Sequence, residues 1–456
     1  MNQKNPRDIA LKLLIRLNKK DEFSENILDR TFKEYQEIDL RDRAFISNIV
    51  QGVIRWRLRL DWIIERMSEV QLKKINPIVQ NILRIAIYQI IFLDRVPDSA
   101  AINEAVIQSK KTQPAYVVAF VNAILRNICR QKKRGIPYPD RYKDAEKFLS
   151  IYYSYPLWLV RKWVRELSFE STEALLDAGN RIPWTAVRVN LLKTEKKELL
   201  MHLSDNGIQA KPSGAPPECL IIDKFRGRLD NTNFYKDGLL QIQGQASQII
   251  SHLLNPSQGE LILDLCSGAG IKSTHLAMLM GNTGKIIALD INHVKLIGVL
   301  ENSGRLGARL IIPIQADASN NLCRLFRTRY FKKILLDVPC SGLGTISRHP
   351  DIKWRKKEKD IGRLSLLQRK LLEEATSLLD VNGLLLYVTC TISNEENEEL
   401  IKNFLKTHTD FSLVDLSKIV PEWCSKYIDS EGFFRTYPHI HGMEGFFGAL
   451  ITRWRY

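Results

Sequence analysis

ELILDLCSGAGIKSTHLAML, residues 260–279, carries an apolar run straight into a glycine turn and then into helical text. Gly268 and Gly270 free the backbone to turn tightly beside a ligand, and a helix start there presents unpaired N–H groups. Alone, such a turn is weakly diagnostic, because a tight connection reads the same way. The next run, GKIIALDIN, ends in Asp290 at the distance from the glycines where a carboxylate can accept from both ribose hydroxyls. IQADAS ends a third run in Asp317, within reach of an adenine amino group. With KKILLDV and GLLLYVT, five runs are apolar throughout rather than alternating, and helical text separates them. That pattern predicts a parallel sheet covered on both faces by helices, binding a nucleoside cofactor at its carboxyl edge.

Upstream, the text changes character. From residue 5 to about 130, apolar residues recur every three or four positions in IALKLLIRL, DRAFISNIVQGVIRWRLRLDWIIERM, PIVQNILRIAIYQIIFL, SAAINEAVIQSKK and AYVVAFVNAILRNI, which predicts an all-helical bundle. Asp39 and the Pro97-Asp98-Ser99 run are the expected N-terminal caps of two of these helices. QKKRGIPYPDR, residues 131–141, has linker composition. Between it and about residue 235, helical text alternates with the short β-rich stretches TAVRVN and CLIID, around a helix at TEKKELLMHLSDNG. The expected division is a helical domain over 1–135, a small α/β domain over 145–235 and an α/β Rossmann-like domain over 236–456.

The chain carries a net charge of +16. Residues 1–150 alone hold 28 Lys and Arg against 18 Asp and Glu, so the excess is concentrated at the helical end. A polyanionic partner is implied, because neutralising phosphates releases counterions. The N-terminal text interleaves charge with Leu and Ile and reads as no signal peptide, and no stretch approaches the roughly 18 apolar residues of a membrane span. A cytoplasmic, soluble monomer that does not engage membranes is expected. Seven cysteines form no C-x-x-C pair, so neither a disulfide framework nor a metal site is expected.

Two of those cysteines stand at strand exits. ILLDVPCSG puts Asp337, Pro339 and Cys340 past the fourth run, and LLYVTCT puts Cys390 past the fifth. Either thiol alone reads as a small buried hydrophobe; two beside a nucleoside pocket do not. An NAD dehydrogenase would leave both without purpose.

DLCSGAGIKST, ALDIN, QADAS, DVPCSGLGTISRHPDIKW, YVTCTISNEEN and HGMEGFF together resemble the RsmB/NOP/Sun family of S-adenosyl-L-methionine-dependent RNA cytosine-C5 methyltransferases, over about 220 residues in order. The upstream helices, with LRDRAFISNIVQGVIRW and AINEAV, are similar to a NusB-type RNA-binding domain, and the whole resembles the bacterial 16S rRNA branch of the family. The resemblance implies that Cys390 is the nucleophile, that Cys340 assists product release and that Asp337 lies between cofactor and base. It implies that Cys266, Ser267, Gly268, Ala269, Gly270, Ile271 and Lys272 cradle the methionine part of the cofactor, with Asp290 on the ribose and Asp317 on the adenine.

Two positions depart from the family pattern. Ala269-Gly270-Ile271 stands where Pro-Gly-Gly usually precedes the lysine, and a positive φ at Ile271 would be strained. Gln243-Gly244 stands where Gln-Asp is common. Glu395, Glu396 and Asn397 read as an ordinary acidic helix start.

Arg348, His349, Lys353 and Trp354 form a basic segment with an aromatic after Cys340, expected to grip RNA. Arg41, Arg43, Arg55, Arg57 and Arg59 add charge in one helical region. The target cytosine must leave its stack to reach a thiol. Two rival readings keep the scaffold: the same reaction on tRNA, or an RNA-binding assembly or antitermination factor that has lost its cofactor.

Overall fold

The structure, a computed structural model, describes residues 5–19, 22–225, 227–326 and 329–454. Residues up to Asn180, joined by Arg348–Arg355, form one compact unit, and Arg181–Ser347 with the chain from Lys356 onward form a second.

The first unit is built of helices, among them Pro6–Lys19, Ser24–Glu34, Leu40–Arg55, Arg57–Met67, Pro77–Phe92, Asp98–Lys110 and Ala115–Arg134, followed by Ala145–Tyr152, Leu157–Glu166 and Phe169–Asn180. Pro77–Phe92 is its axis: Val79, Ile82, Leu83, Ile85, Ala86, Ile87 and Ile90 are all buried, as its nearly unbroken apolar text requires. Pro at its first turn forfeits no bond, and the Asn76 side chain accepts from Ile78 N–H. Asp39 caps Leu40–Arg55 as expected, accepting from Asp42 N–H at 2.7 Å.

Other expectations needed correction. The run 42–67, read as one helix, breaks at Trp56, whose ring stacks on Phe92 with centroids 4.6 Å apart. The new helix start is capped from far away, Ser154 Oγ accepting from Leu58 N–H at 2.9 Å. Asp98 is the first helical residue rather than a cap, and Ser24–Glu34 was not foreseen as a helix. The helices of 145–180 are part of the first compact unit and the small sheet is part of the second.

The second unit holds two sheets among the described residues. The smaller joins β1 (Thr185–Val189), β2 (Gln209–Pro212), β3 (Cys219–Lys224) and β4 (Leu240–Ile242) in the order β2-β3-β1-β4, all neighbours antiparallel, with the helix Lys196–Asp205 between β1 and β2. The larger contains β5 (Leu261–Leu265), β6 (Lys285–Asp290), β7 (Ile311–Gln315), β8 (Phe331–Asp337), β9 (Leu379–Thr389), β10 (Phe411–Leu413), β11 (Phe434–Arg435) and β12 (Phe447–Arg453). Its order is β10-β12-β9-β8-β5-β6-β7, with β11 beside β12. The five runs read from the sequence are β5 to β9 and pair in parallel.

The sheet is nevertheless mixed, because β12 returns antiparallel to β9 from Thr389↔Phe447 to Leu384↔Thr452. Order reverses between β5 and β8, the place where a doubly wound sheet opens a crevice at its strand ends. No helix of the described residues is long and apolar enough to cross a membrane.

Candidate active site

The glycine turn is strung on alternating left-handed residues: Cys266 (φ 61°), Gly268 (φ 58°) and Gly270 (φ 74°), the last capping the helix Ile271–Leu279. Ile271 is the first residue of that helix and is not left-handed, so the strain expected at a β-branched residue does not arise. Asp290, buried at the end of β6, accepts from Gly268 N–H at 2.9 Å and from Asn292 N–H at 2.8 Å. Among the described residues Ser267 Oγ is buried without a hydrogen-bond partner, and none of them closes the space beside Gly268. An unsatisfied hydroxyl, an aimed carboxylate and free room at a helix start fit a polar nucleoside cofactor. Asp317 is exposed past β7 and accepts from the N–H and hydroxyl of Ser319 at 2.9 and 2.7 Å. Burial first, then the negative charges of Asp337 and Asp290, push the Cys266 thiol up to about 12, so it is a neutral packing group.

Lys272 is no solvated lysine. Its Nζ lies 2.5 Å from Asp337 Oδ2 and over the Phe446 ring. Burial alone would lower its pKa, but the Asp337 carboxylate outweighs that and raises it, so the ammonium stays charged. Below the turn, Asp264 of β5 is fully buried and accepts from Ser273 Oγ at 2.5 Å. Burial pushes its carboxyl up to about 7. Nothing in its local sequence distinguishes it from any strand residue.

The two thiols meet. Cys340 Sγ lies 3.1 Å from Cys390 Sγ and accepts from Cys390 N–H at 3.3 Å. Parallel pairing of β8 with β9, Asp337 opposite Val388, brings the exits side by side. The contact with Cys390, burial and the negative charge of Glu396 all raise the Cys340 pKa well above that of an ordinary thiol. Both cysteines are partly buried.

Gly244 also finds its explanation. A side chain there would meet Glu444 Oε1 at 2.5 Å, so the buried carboxylate of the C-terminal HGMEGFF segment occupies the room of the missing acid.

Comparison with known proteins finds three family models along the chain. A family model described as "16S rRNA methyltransferase RsmB/F" matches residues 251–452, the NusB family matches 4–130, and an RsmF/B-like ferredoxin-like domain matches 155–227. The probable ribosomal RNA small subunit methyltransferase B of Bacillus subtilis is 33% identical over 448 residues, covering 98% of both chains. The chain belongs to the RsmB family of ribosomal RNA small subunit methyltransferases. The Escherichia coli ribosomal RNA small subunit methyltransferase B is 28% identical over 99% of each chain. Among solved structures, PH0851 superposes with a TM-score of 0.80 at 30% identity, over 98% of this chain and 99% of that one. NSun6 from Pyrococcus horikoshii with SFG shares the fold, at TM-score 0.57 and 22% identity, over 65% of this chain and 97% of that one.

In this RsmB-family chain the expected RNA grip after Cys340 is corrected. Lys353 is fully buried in the helical unit, where its Nζ donates to Arg55 O (3.1 Å), Ser154 O (3.2 Å) and Asn180 Oδ1 (2.6 Å) over the Tyr155 ring. Trp354 Nε1 donates to Ile54 O at 2.7 Å. Asp351, three residues earlier, takes the N–H and hydroxyl of Ser24 at the start of Ser24–Glu34. These residues anchor the segment rather than present it. His349 Nδ1 lies 3.2 Å from Glu25, and Arg348 is half-buried. The arginine row is also largely consumed: Arg55 donates to Gly179 O, Arg43 to Ile38 O and Gln36 O, and Arg59 to Tyr138 and to Tyr152 O among four aromatic rings.

One cluster escaped the sequence reading. Glu218 Oε1 lies 2.8 Å from His252 Nε2 and 2.7 Å from His275 Nε2, a set of three metal-capable groups. Burial holds His275 neutral, its pKa lowered to about 3. The three lie on separate elements, so no local spacing announces them.

Proposed function

We propose that this chain transfers a methyl group from S-adenosyl-L-methionine to carbon 5 of a cytosine in 16S rRNA, through a covalent adduct with Cys390. The observation that carries the reading is the pair of thiols 3.1 Å apart at adjacent strand exits, beside the Lys272–Asp337 ion pair. Family membership, and the small subunit rRNA named for the relatives, support the substrate. SFG in the related NSun6 structure and the fit of the glycine turn support the cofactor. The RNA is the proposed partner, the cytoplasm its setting, and the three-part division of the chain its organisation.

Carbon 5 of cytosine is a poor nucleophile until a thiolate adds to carbon 6. We assign that addition to Cys390. Asp337 accepts from Lys272 and has a second oxygen to hold the exocyclic amine of the base. When bound, S-adenosyl-L-methionine supplies the electrophilic methyl group. Afterwards the proton on carbon 5 is lost to solvent, the electron pair of that carbon–hydrogen bond re-forms the carbon 5–carbon 6 double bond, and the carbon–sulfur bond breaks with its pair departing on the Cys390 sulfur. Cys340, held protonated 3.1 Å away, can give its proton to the departing sulfur. Cys266 to Lys272, Asp290 and Asp317 are the proposed cofactor contacts. For Arg348 and His349 an RNA contact remains part of the proposal; for Lys353 and Trp354 it is withdrawn.

The degenerate-factor reading loses its single support, since Ile271 is an ordinary helical residue. The test is methyl transfer from labelled S-adenosyl-L-methionine to unmodified 16S rRNA and to tRNA, with wild type and Cys390→Ala. Label in rRNA as 5-methylcytosine, absent with Cys390→Ala, is expected. Label in tRNA alone would move the substrate, and no label would refute the reaction.

A further inference from the structure

We propose that Glu396 is the positioning residue that sets the two thiols against each other. It follows Cys390 by six residues in text that reads as a plain acidic helix start, yet its side chain is fully buried. Its carboxylate takes three hydrogen bonds: Oε1 from Ser341 N–H at 2.8 Å and Gln368 Nε2 at 2.9 Å, Oε2 from Ser341 Oγ at 2.5 Å. Ser341 is the residue after Cys340. Gln368 also donates to Pro339 O at 3.0 Å, so Pro339-Cys340-Ser341 is held on both flanks of the thiol.

The other loop is tied to the same group. Ser341 Oγ lies 2.7 Å from Thr391 Oγ1, and Thr391 follows Cys390. Asn397, next to Glu396, accepts from Thr389 Oγ1 at 2.6 Å and donates to Thr391 O at 3.1 Å, bracketing Cys390. Glu396 is fixed in turn by Tyr387, whose hydroxyl donates to its carbonyl at 2.7 Å. A buried carboxylate with three donors forms strong, directional bonds, and they converge on neighbours of the reacting sulfurs. Its negative charge also disfavours a thiolate on Cys340. One side chain therefore fixes the sulfur separation and keeps Cys340 the protonated partner.

This rests on the roles proposed above for Cys390 and Cys340, and the test separates the two ideas. Cys340 alkylation by iodoacetamide is followed against pH by mass spectrometry in the full chain, without RNA or cofactor. In Glu396→Gln, which keeps the acceptor and loses the charge, the alkylation midpoint moves to lower pH. Single-turnover assays then follow formation and release of the Cys390–RNA adduct. Glu396→Ala releases adduct on the order of 10²-fold more slowly, because a displacement of about 1 Å near the reacting atoms has that effect. Glu396→Gln restores release to within about tenfold of wild type. Should Glu396→Ala fail to fold, Ser341→Ala replaces it, with slowed release again expected. An unmoved Cys340 profile in Glu396→Gln, or adduct release by the alanine variant at the wild-type rate, overturns the proposal. No adduct in wild type would refute the reaction instead, while the alkylation profile still decides the role of Glu396.

Discussion

Asp264 and Lys272 stand eight residues apart, and their surroundings drive them in opposite directions. Lys272 keeps its charge because Asp337 sits against it; Asp264, buried with the Ser273 hydroxyl as its one hydrogen-bond donor among the described residues, is driven toward the neutral acid with a pKa of about 7. Between the ordinary carboxylate pKa near 3.8 and about 7, the folded chain binds the proton that the unfolded chain has lost. This group therefore makes stability fall as pH rises across that window, by on the order of 4 kcal/mol at most. Asp264→Asn should flatten that part of the profile, measured as urea midpoint against pH. Lys272→Met should leave the Asp337 carboxylate without its cation, and methyl transfer should fall on the order of 10²-fold with the fold intact by circular dichroism. Lys272 and Asp337 were legible as motif residues. Their pairing was not, because they lie 65 residues apart.

The connections at the strand ends depend on glycines for different reasons. Gly270 is left-handed at the helix start and faces Val299, so Gly270→Ala should weaken cofactor binding and cost about 1–2 kcal/mol, read by calorimetry and thermal melts. Gly344 is a matter of close approach: an added Cβ would meet the Gly445 carbonyl oxygen at 1.9 Å. Gly344 N–H also holds the Cys390 carbonyl at 3.1 Å. Gly344→Ala should therefore shift the Cys390 loop and cost on the order of 10²-fold in methyl transfer, with cofactor affinity unchanged by calorimetry. In the helical unit, Asp39→Ala removes a side-chain cap and should cost about 1 kcal/mol in thermal stability. That cap and the five parallel strands were readable because each is a local pattern. The break at Trp56 was not, since the hydroxyl that caps the new helix belongs to Ser154.

For the whole chain, the net charge of +16 gives an RNA affinity that falls with salt, but charge count does not say which cations contribute. Lys353 is committed to three oxygens and the Tyr155 ring, and burial holds its pKa well below the ordinary value. Lys353→Met should lower the melting temperature by orphaning those acceptors, at about 1–3 kcal/mol each when left unsatisfied. It should not change the slope of log affinity against log salt; a shallower slope would return Lys353 to the RNA surface.

By itself the sequence determined the helical bundle, the small α/β part, the five parallel strands, the glycine turn with its acids, and the two thiols, all carried by periodicity or by short contiguous motifs. Tertiary structure decided which of these groups act together. It brought Cys340 to Cys390, Lys272 to Asp337 and Glu396 beneath both thiol loops, and it buried Lys353 within the helical unit with Trp354 packed partly buried against that unit's core. The reason is burial: charge and hydrogen-bonding capacity are written in the sequence, whereas desolvation and the identity of a distant partner exist only once the chain has folded.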